Sequence, residues 1–245
     1  MRIAVLLLGL CALLLAKQIE AEYKVSYGIF GRMGKSLAKM ESNETNYTIE
    51  VVGKATGLAK IFSNSRVERY VSKGFVKNGL FRPLVFIKIR QNSYKKDIKK
   101  FTFDYKTKRI GVERHIYKHG KLVQHSFNYL PFFAKEDTLT LYFNIRRYLK
   151  PQKYLYTFYA VGGERHTGRI DVIVEHGKRL RELQKLLGVH GLYLSVILHQ
   201  KIFASKQGEL HIVIGKDGVA KKALLKDVIA FGDIVAVLLR KRVVE

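Results

Sequence analysis

Two neighbouring runs of alternating side chains occur in VFIKIRQNSYKKDIKKFTFDY, residues 85–105. An alternation of period two places successive side chains on opposite faces of a β-strand. The positions that share one face in each run are Val85, Ile87 and Ile89, then Phe101, Phe103 and Tyr105. The polar stretch between the runs is long enough for a turn, so the segment predicts two antiparallel strands.

The same alternation extends outward in both directions. Residues 23–29 and 47–51 carry it before this segment, and turn residues such as Asn78-Gly79 and His119-Gly120 separate the runs. Further apolar runs cover 192–203, 210–214, 223–231 and 234–239. The sequence therefore predicts a mainly β protein built from a single antiparallel sheet.

Two segments have helical spacing instead. Leu139, Tyr142 and Phe143 follow Asp137, which is a good N-cap residue, and Pro151 disfavours a helical residue before it. We expect one helix over residues 138–149. Leucines in residues 178–187 predict a second, shorter helix.

The N-terminus predicts export. Arg2 precedes an unbroken apolar run over residues 3–16, which is shorter than the ~20 residues of a membrane-spanning helix. With Ala21 following it, the run is typical of a secretory signal peptide over residues 1–21, cleaved after Ala21. An uncleaved anchor is the alternative. Residues 22–245 then form one domain, which we expect in the periplasm.

The charge is strongly basic, with 45 Lys and Arg against 20 Asp and Glu, a net +25. Residues 77–121 alone carry net +11, which favours contact with an anionic membrane surface or glycolipid. The alternative is a basic surface that is merely solvated. An exported protein rarely meets nucleic acid, so no nucleic-acid partner is expected. The expected contact residues are Lys95, Lys96, Lys99, Lys100, Lys106, Lys108 and Arg109.

Catalytic and metal-binding patterns are weak. His115 and His119 share one face of a predicted strand, but four residues at ~3.3 Å each place them about 13 Å apart. Ser195 lies in an apolar run without a nucleophile motif, and Cys11, the only cysteine, falls in the signal segment. We therefore expect no enzyme activity, no cofactor, no metal site and no disulfide.

Several short motifs resemble an exported bacterial family known only as a domain of unknown function. Asp137-Thr-Leu-Thr-Leu-Tyr-Phe-Asn-Ile-Arg146 is similar to its Asp-x-Leu-Ser-x-x-Tyr-x-x-Arg stretch, with Thr140 where serine is usual. Further matches are Tyr27-Gly28 with Gly34, Thr56-Gly57-Leu58, Pro83, and Asp217 before Ala223-Leu224; Lys221-Lys222 departs from an expected Pro-Val. The order of these motifs carries the resemblance across residues 23–240.

The resemblance implies an architecture similar to periplasmic lipoprotein carriers. A curved antiparallel sheet, a half-barrel, would hold one or two helices on its concave side. Strands 23–29, 47–51, 85–89 and 101–105 would line the concavity, and helix 138–149 would act as plug or lid. The expected ligand is a lipid or lipoprotein acyl chain. Its expected contacts are Leu139, Tyr142, Phe143, Arg146, Val85, Ile87, Phe101 and Phe103.

Arg146 lies seven residues after Leu139, on the apolar stripe of the predicted helix. We expect it either to pair with a carboxylate of the sheet or to sit at the mouth of the cavity. The competing hypothesis for the whole protein is a structural or adaptor role in envelope biogenesis. In that case the concavity is filled by side chains, whereas a cavity of several hundred Å³ favours ligand binding.

Overall fold

The computed structural model describes residues 17–27, 31–162, 167–199, 209–228 and 232–244. Within them it contains fifteen strands and three helices. The strands are β1 Lys17–Tyr27, β2 Gly31–Ser42, β3 Asn46–Ala55, β4 Val67–Lys77, β5 Leu80–Gln91, β6 Lys95–Asp104, β7 Arg109–Lys118, β8 Lys121–Tyr129, β9 Glu136–Asp137, β10 Leu155–Val161, β11 Arg169–Val174, β12 Leu192–Leu198, β13 Glu209–Ile214, β14 Ala220–Val228 and β15 Gly232–Val244. The helices are α1 Gly57–Phe62, α2 Thr138–Tyr148 and α3 Gly177–Leu187.

All fifteen strands form one sheet, which confirms the predicted fold class. The order is β8-β7-β6-β5-β4-β3-β2-β1-β15-β14-β13-β12-β11-β10-β9, and every neighbouring pair is antiparallel except β9 with β10. The chain makes one meander from β1 to β8 and a second from β10 to β15. Pairing of β15 with β1 joins the two meanders in the middle of the sheet.

The sheet curves strongly around α2. Strands β5 and β10 are ten steps apart in the sheet, about 48 Å if it were flat at ~4.8 Å per step. Nevertheless, the Nζ of Lys88 in β5 donates to the carbonyl of Gly162, directly after β10, at 2.6 Å. In the described residues the sheet stays open, since β8 and β9 each pair on one side only. This is the expected half-barrel.

Helix α2 fills the concave side and contacts both halves of the sheet. Leu141 and Ile145 pack in the apolar core formed by β10–β13, whereas Leu139 and Phe143 pack against β1–β3 and β5. Residues four apart lie on one helix face, so these two pairs form two separate apolar stripes. The prediction of a helix over 138–149 is confirmed to within one residue.

Helix α3 agrees with the predicted segment 178–187 but lies on the other face of the sheet. Leu183 and Leu187 pack with Tyr193, Val213 and Leu224. In β12 the neighbouring Leu194 belongs to the α2 core, and adjacent strand residues face opposite sides. One predicted helix therefore occupies the concavity, and the second covers the convex surface.

The prediction of which side chains in residues 85–89 face the concave side is wrong. A bulge interrupts β5 between its pairs with Lys73 and Gly74, and Leu84 is the extra residue. Beyond the bulge the buried side chain is Phe86, which packs on Phe101 in the concave core. Val85 and Ile87 alternate with it and lie on the convex face, so neither can line the concavity.

Parts of other predictions fall outside the described residues. These are residues 1–16 of the predicted signal peptide, residues 28–29 of the first strand, and residues 200–203 and 229–231 of two later strands. The described part of each strand agrees with its prediction. The short helix α1 was not predicted, because six residues are too few for a clear periodic pattern.

The side chain of Asn144 docks α2 onto β5. Its amide accepts from the N–H of Phe81 and donates to the carbonyl of Phe81, both at 2.9 Å. Strand β6 ends at Asp104 and its pairing with β5 stops at Val85, so Phe81 lies beyond the ladder on that side. Asn144, which is fully buried, supplies the two hydrogen bonds that a neighbouring strand would supply.

We predict that Asn144→Ala destabilises the fold strongly. The N–H and carbonyl of Phe81 would lose their partner, and each such buried group costs about 1–3 kcal/mol. Urea denaturation of the wild type and the variant measures the change in the free energy of unfolding. Asn128→Ala, on the exposed strand β8, is the control and should be close to neutral. Equal losses in the two variants would contradict the docking role.

Candidate functional site

An apolar cavity of about 200 Å³ lies between α2 and the concave face of β1–β3. Leu139, Tyr142 and Phe143 form its helical wall, as predicted from the sequence. The remaining lining residues are Ile19, Ala21, Tyr23, Ser36, Ala38, Lys39, Met40, Val51, Gly218, Val219 and Ala220. Most of these residues are apolar, so the cavity suits an apolar group rather than a charged one.

The two ligand contacts predicted in β6 do not line this cavity. Phe101 and Phe103 do face the concave side, but they are 1% and 4% exposed and pack with Phe86 and Ile110. They belong to a filled part of the core and do not line the cavity. The cavity lies instead beside β1 and β2, where small side chains such as Ala21 and Ala38 face each other.

Arg146 has a main-chain partner. Its guanidinium donates to the main-chain carbonyl of Gly215, and the residue is exposed. Tyr142 donates to Gly218 in the same turn at 2.9 Å. The two side chains therefore fasten α2 to the β13–β14 turn, whose Gly218 and Val219 line the cavity. Among the described residues Arg146 forms no ion pair with a carboxylate, and its place at the cavity mouth stays a prediction.

The hydroxyl groups around the cavity stay protonated. Burial, with a contribution from the Asp217 charge, raises the pKa of Tyr23 to about 12. Burial also raises the pKa of Tyr142. The hydroxyl groups of Tyr23 and Tyr142 therefore present hydrogen-bonding capacity without charge.

A network of buried polar groups holds the N-terminal end of α2 against the sheet. Asp137 is fully buried and accepts from Ser72 at 2.5 Å, from the N–H of Leu139 at 2.8 Å and from the N–H of Thr140 at 3.0 Å. The hydroxyl of Thr140 accepts from the N–H of Asp137 at 2.9 Å, which completes a capping box. Asp137 therefore acts as the predicted helix cap.

Glu136, the adjacent carboxylate, continues the network. It pairs with Arg82 at 2.5 Å, accepts from Asn144 at 3.0 Å and also accepts from Tyr148. Burial raises the pKa of Glu136, while the bonds from Tyr148 and Arg82 oppose the shift. Burial likewise raises the pKa of Asp137, to about 7. These shifts follow from structural burial, and the two carboxyl groups do not line the cavity.

The seven predicted basic contact residues do not form one patch. Lys95 and Lys99 share the concave face with Phe101, whereas Lys96 and Lys100 lie on the opposite face. Lys106 and Lys108 lie in the β6–β7 hairpin, at the other end of β6 from Lys95, about 30 Å away at ~3.3 Å per residue. Arg109 is held over the ring of Tyr129 at 3.9 Å.

Two clusters were missed by the sequence analysis. Ser195 contacts His211 at 2.7 Å and also donates to Glu175, but Ser195 and His211 are each 1% exposed, so a substrate has no access to them. Burial lowers the pKa of His211, against an opposing contribution from Glu209. Glu113, His115 and His125 form the second cluster, on the exposed hairpin β7–β8.

Comparison with known protein families gives a match over most of the chain. A family model described as "Protein of unknown function (DUF3108)" matches residues 22–238. The chain belongs to the DUF3108 family. This confirms the resemblance inferred from the sequence. A comparison with curated proteins finds no match.

A solved structure supports the fold of this DUF3108 chain. It is a β-barrel-like protein of the domain of unknown function DUF1849 from Brucella abortus. The TM-score is 0.54 at 8% sequence identity, and the match covers 95% of this chain and 99% of the other. At that identity the likeness concerns the fold alone. Within the described residues of this DUF3108 chain, the helices are too short or too polar to span a bilayer.

We predict that Asp137 makes stability fall as pH rises from about 4 to 7. Its pKa is about 7 in the folded state and ~3.9 when unfolded, so folding favours the protonated form. The stabilisation is fully present below pH ~4 and is lost as pH rises through the folded pKa. Asp137→Asn keeps a cap acceptor and should flatten the slope, although Glu136 retains part of it.

Denaturation series between pH 4 and 7 measure this slope for the wild type and the variant. Asp137→Ala is the matched control: it also lacks the titrating group and should show the same flattened slope, but it loses the cap acceptor and should be less stable than Asp137→Asn by about 0.5–2 kcal/mol at every pH. An Asn variant with the full wild-type slope would show that Asp137 does not titrate in this range.

Proposed function

We propose that this protein is an exported, non-enzymatic binding protein whose ligand is an apolar chain held between α2 and the sheet. The observation that carries the proposal is the cavity of about 200 Å³, walled by Leu139 and Phe143 on one side and Met40 and Val51 on the other. Burial of apolar surface supplies the binding free energy, about 25 cal/mol per Å².

The volume of the cavity limits the size of the ligand. Pockets for drug-sized molecules measure ~300–1,000 Å³. A cavity of about 200 Å³ suits one acyl chain or a similar slender group better than a whole lipid. The alternative is an adaptor of envelope biogenesis with no ligand. A larger cavity would argue against it more strongly than this one does. Contact with an anionic surface stays a prediction from the net charge.

The ligand proposal rests on a cavity that one substitution can fill. Val51 lines the cavity, and its neighbour Val52 lies on the opposite face of β3. We predict that the wild type, purified from the producing cell, retains an apolar molecule detectable by native mass spectrometry. Val51→Phe should lose it, whereas the matched control Val52→Phe should keep it.

Two results would reject ligand binding. One is wild-type protein free of any bound molecule that also fails to bind a fluorescent fatty acid. The other is equal retention by the Val51→Phe and Val52→Phe variants. Either result leaves the adaptor hypothesis in place, because a filled concavity gives the same outcome for all three proteins.

Export follows from the apolar run over residues 3–16, and two cleavage positions compete. The sequence pattern favours cleavage after Ala21. Strand β1 favours an earlier position, after Ala16, because Ile19 and Ala21 are 6% and 2% exposed and contribute to the cavity wall. Lys17–Ala21 also pair with β2 on one side, and Gln18–Ala21 pair with β15 on the other.

We predict a mature chain that begins at Lys17 if β1 is retained whole, and at Glu22 if the sequence pattern alone governs processing. N-terminal sequencing of protein from the producing cell distinguishes these ends. Thermal denaturation of chains 17–245 and 22–245 is the companion measurement, and the shorter chain should melt at a lower temperature. A chain that still begins at Met1 would contradict export with cleavage.

A further inference from the structure

The hairpin β7–β8 carries two histidines and a glutamate on its convex face. The Nε2 of His125 lies 3.3 Å from the Oε1 of Glu113, and the Nε2 of His115 lies 3.7 Å from the same oxygen. The two imidazole rings are 4.5 Å apart and nearly parallel. One ligand atom from each residue falls within 4.8 Å of the others.

Strand register brings these residues together. Glu113 and His115 are two apart in β7 and therefore share a face, and His125 lies directly opposite His115 in β8. The pairing depends on a bulge, since Tyr117 pairs with Leu122 but Ile116 pairs with Gln124. Val123 is the extra residue. If the same residues paired without a bulge, His125 would lie opposite Arg114 and face the other side of the sheet.

We propose that Glu113, His115 and His125 bind a divalent transition-metal ion, with Zn²⁺ as the reference ion. Two imidazole nitrogens and one carboxylate oxygen are a common ligand set for such ions, at ~2.0–2.2 Å from the metal. The three side chains are 28–52% exposed, so small rotations bring their ligand atoms onto one ion. Solvent supplies the remaining coordination position.

The neighbours of the cluster include one basic side chain. Lys100 of β6 lies opposite Glu113, Ile98 lies opposite His115, and Phe127 of β8 flanks Glu113 on the other side. Tyr117 is stacked beside His115. The charge of Lys100 opposes a bound cation, whereas the carboxylate of Glu113 favours it.

Binding at this place has a structural consequence. Strand β8 is the edge of the sheet, all nine of its residues are exposed, and it pairs only with β7. An ion held by His115 and His125 links these two strands through their side chains. The metal-bound protein should therefore resist local opening of the hairpin more than the metal-free protein does.

Isothermal titration of the metal-free protein with Zn²⁺ tests the proposal. We expect one saturable site in the wild type, and a loss of affinity of at least about 10-fold in His125→Ala and in Glu113→Gln. His119→Asn is the matched control, because His119 lies in the hairpin turn outside the cluster and asparagine tolerates its positive φ. It should bind as the wild type does.

Hydrogen exchange with and without Zn²⁺ supplies an independent readout, with protection expected at the amides of β7 and β8. We expect all the variants to fold, since the changes lie on an exposed hairpin, and thermal denaturation checks this. Two results would overturn the proposal. They are a wild type that shows no saturable Zn²⁺ uptake, and a His125→Ala variant that binds as tightly as the wild type.

Discussion

The buried carboxylate of Asp137 links the helix to the sheet that surrounds it. It accepts the first free N–H groups of α2 and the hydroxyl of Ser72 in β4, whose other partner is Tyr47 in β3. These hydrogen bonds fix where α2 begins. With its start fixed, Leu139 and Phe143 pack against β1–β3, and Leu141 and Ile145 pack against β10–β13. A sheet with apolar side chains on one face can bury them only by curling around these two stripes. The curvature, the cavity and the contact between Lys88 and Gly162 all depend on that geometry.

Much of this architecture follows from local patterns. Alternation of period two predicts the antiparallel meander, and Asp137 with Pro151 marks the two ends of α2, because caps and chain-breaking residues act on their immediate neighbours. Leu139, Tyr142 and Phe143 were found as cavity residues for the same reason. Their spacing on a helix is fixed, so one correct boundary places all three. The long-range pairing of β15 with β1 has no such local signal, and neither does the partner of Arg146, a main-chain carbonyl that any residue offers.

Two bulges explain the largest errors. In β5, Leu84 shifts the alternation by one residue, so Phe86 rather than Val85 or Ile87 enters the core. In β8, Val123 does the same and turns His125 towards His115. A one-residue shift exchanges the two faces of a strand. The residue types at Leu84 and Val123 do not indicate a bulge. Gly74, opposite the first bulge, marks the close approach: a Cβ there would lie 1.9 Å from the carbonyl oxygen of Arg82. Gly74 is therefore a sequence feature that accompanies the β5 bulge.

The bulges also separate two kinds of surface on one sheet. The first directs large side chains inward along β5 and β6, where Phe86, Phe101 and Phe103 leave no space for a ligand. The space remains at β1 and β2, where the facing residues Ala21 and Ala38 are small and α2 cannot approach more closely while Tyr142 is fixed to the β13–β14 turn. The second bulge lies in the exposed edge strand β8 and turns His125 to the convex face, where it is open to solvent. The apolar cavity and the histidine cluster therefore occupy opposite faces and distant strands, β1–β3 and β7–β8, and each can be altered without removing a side chain from the other.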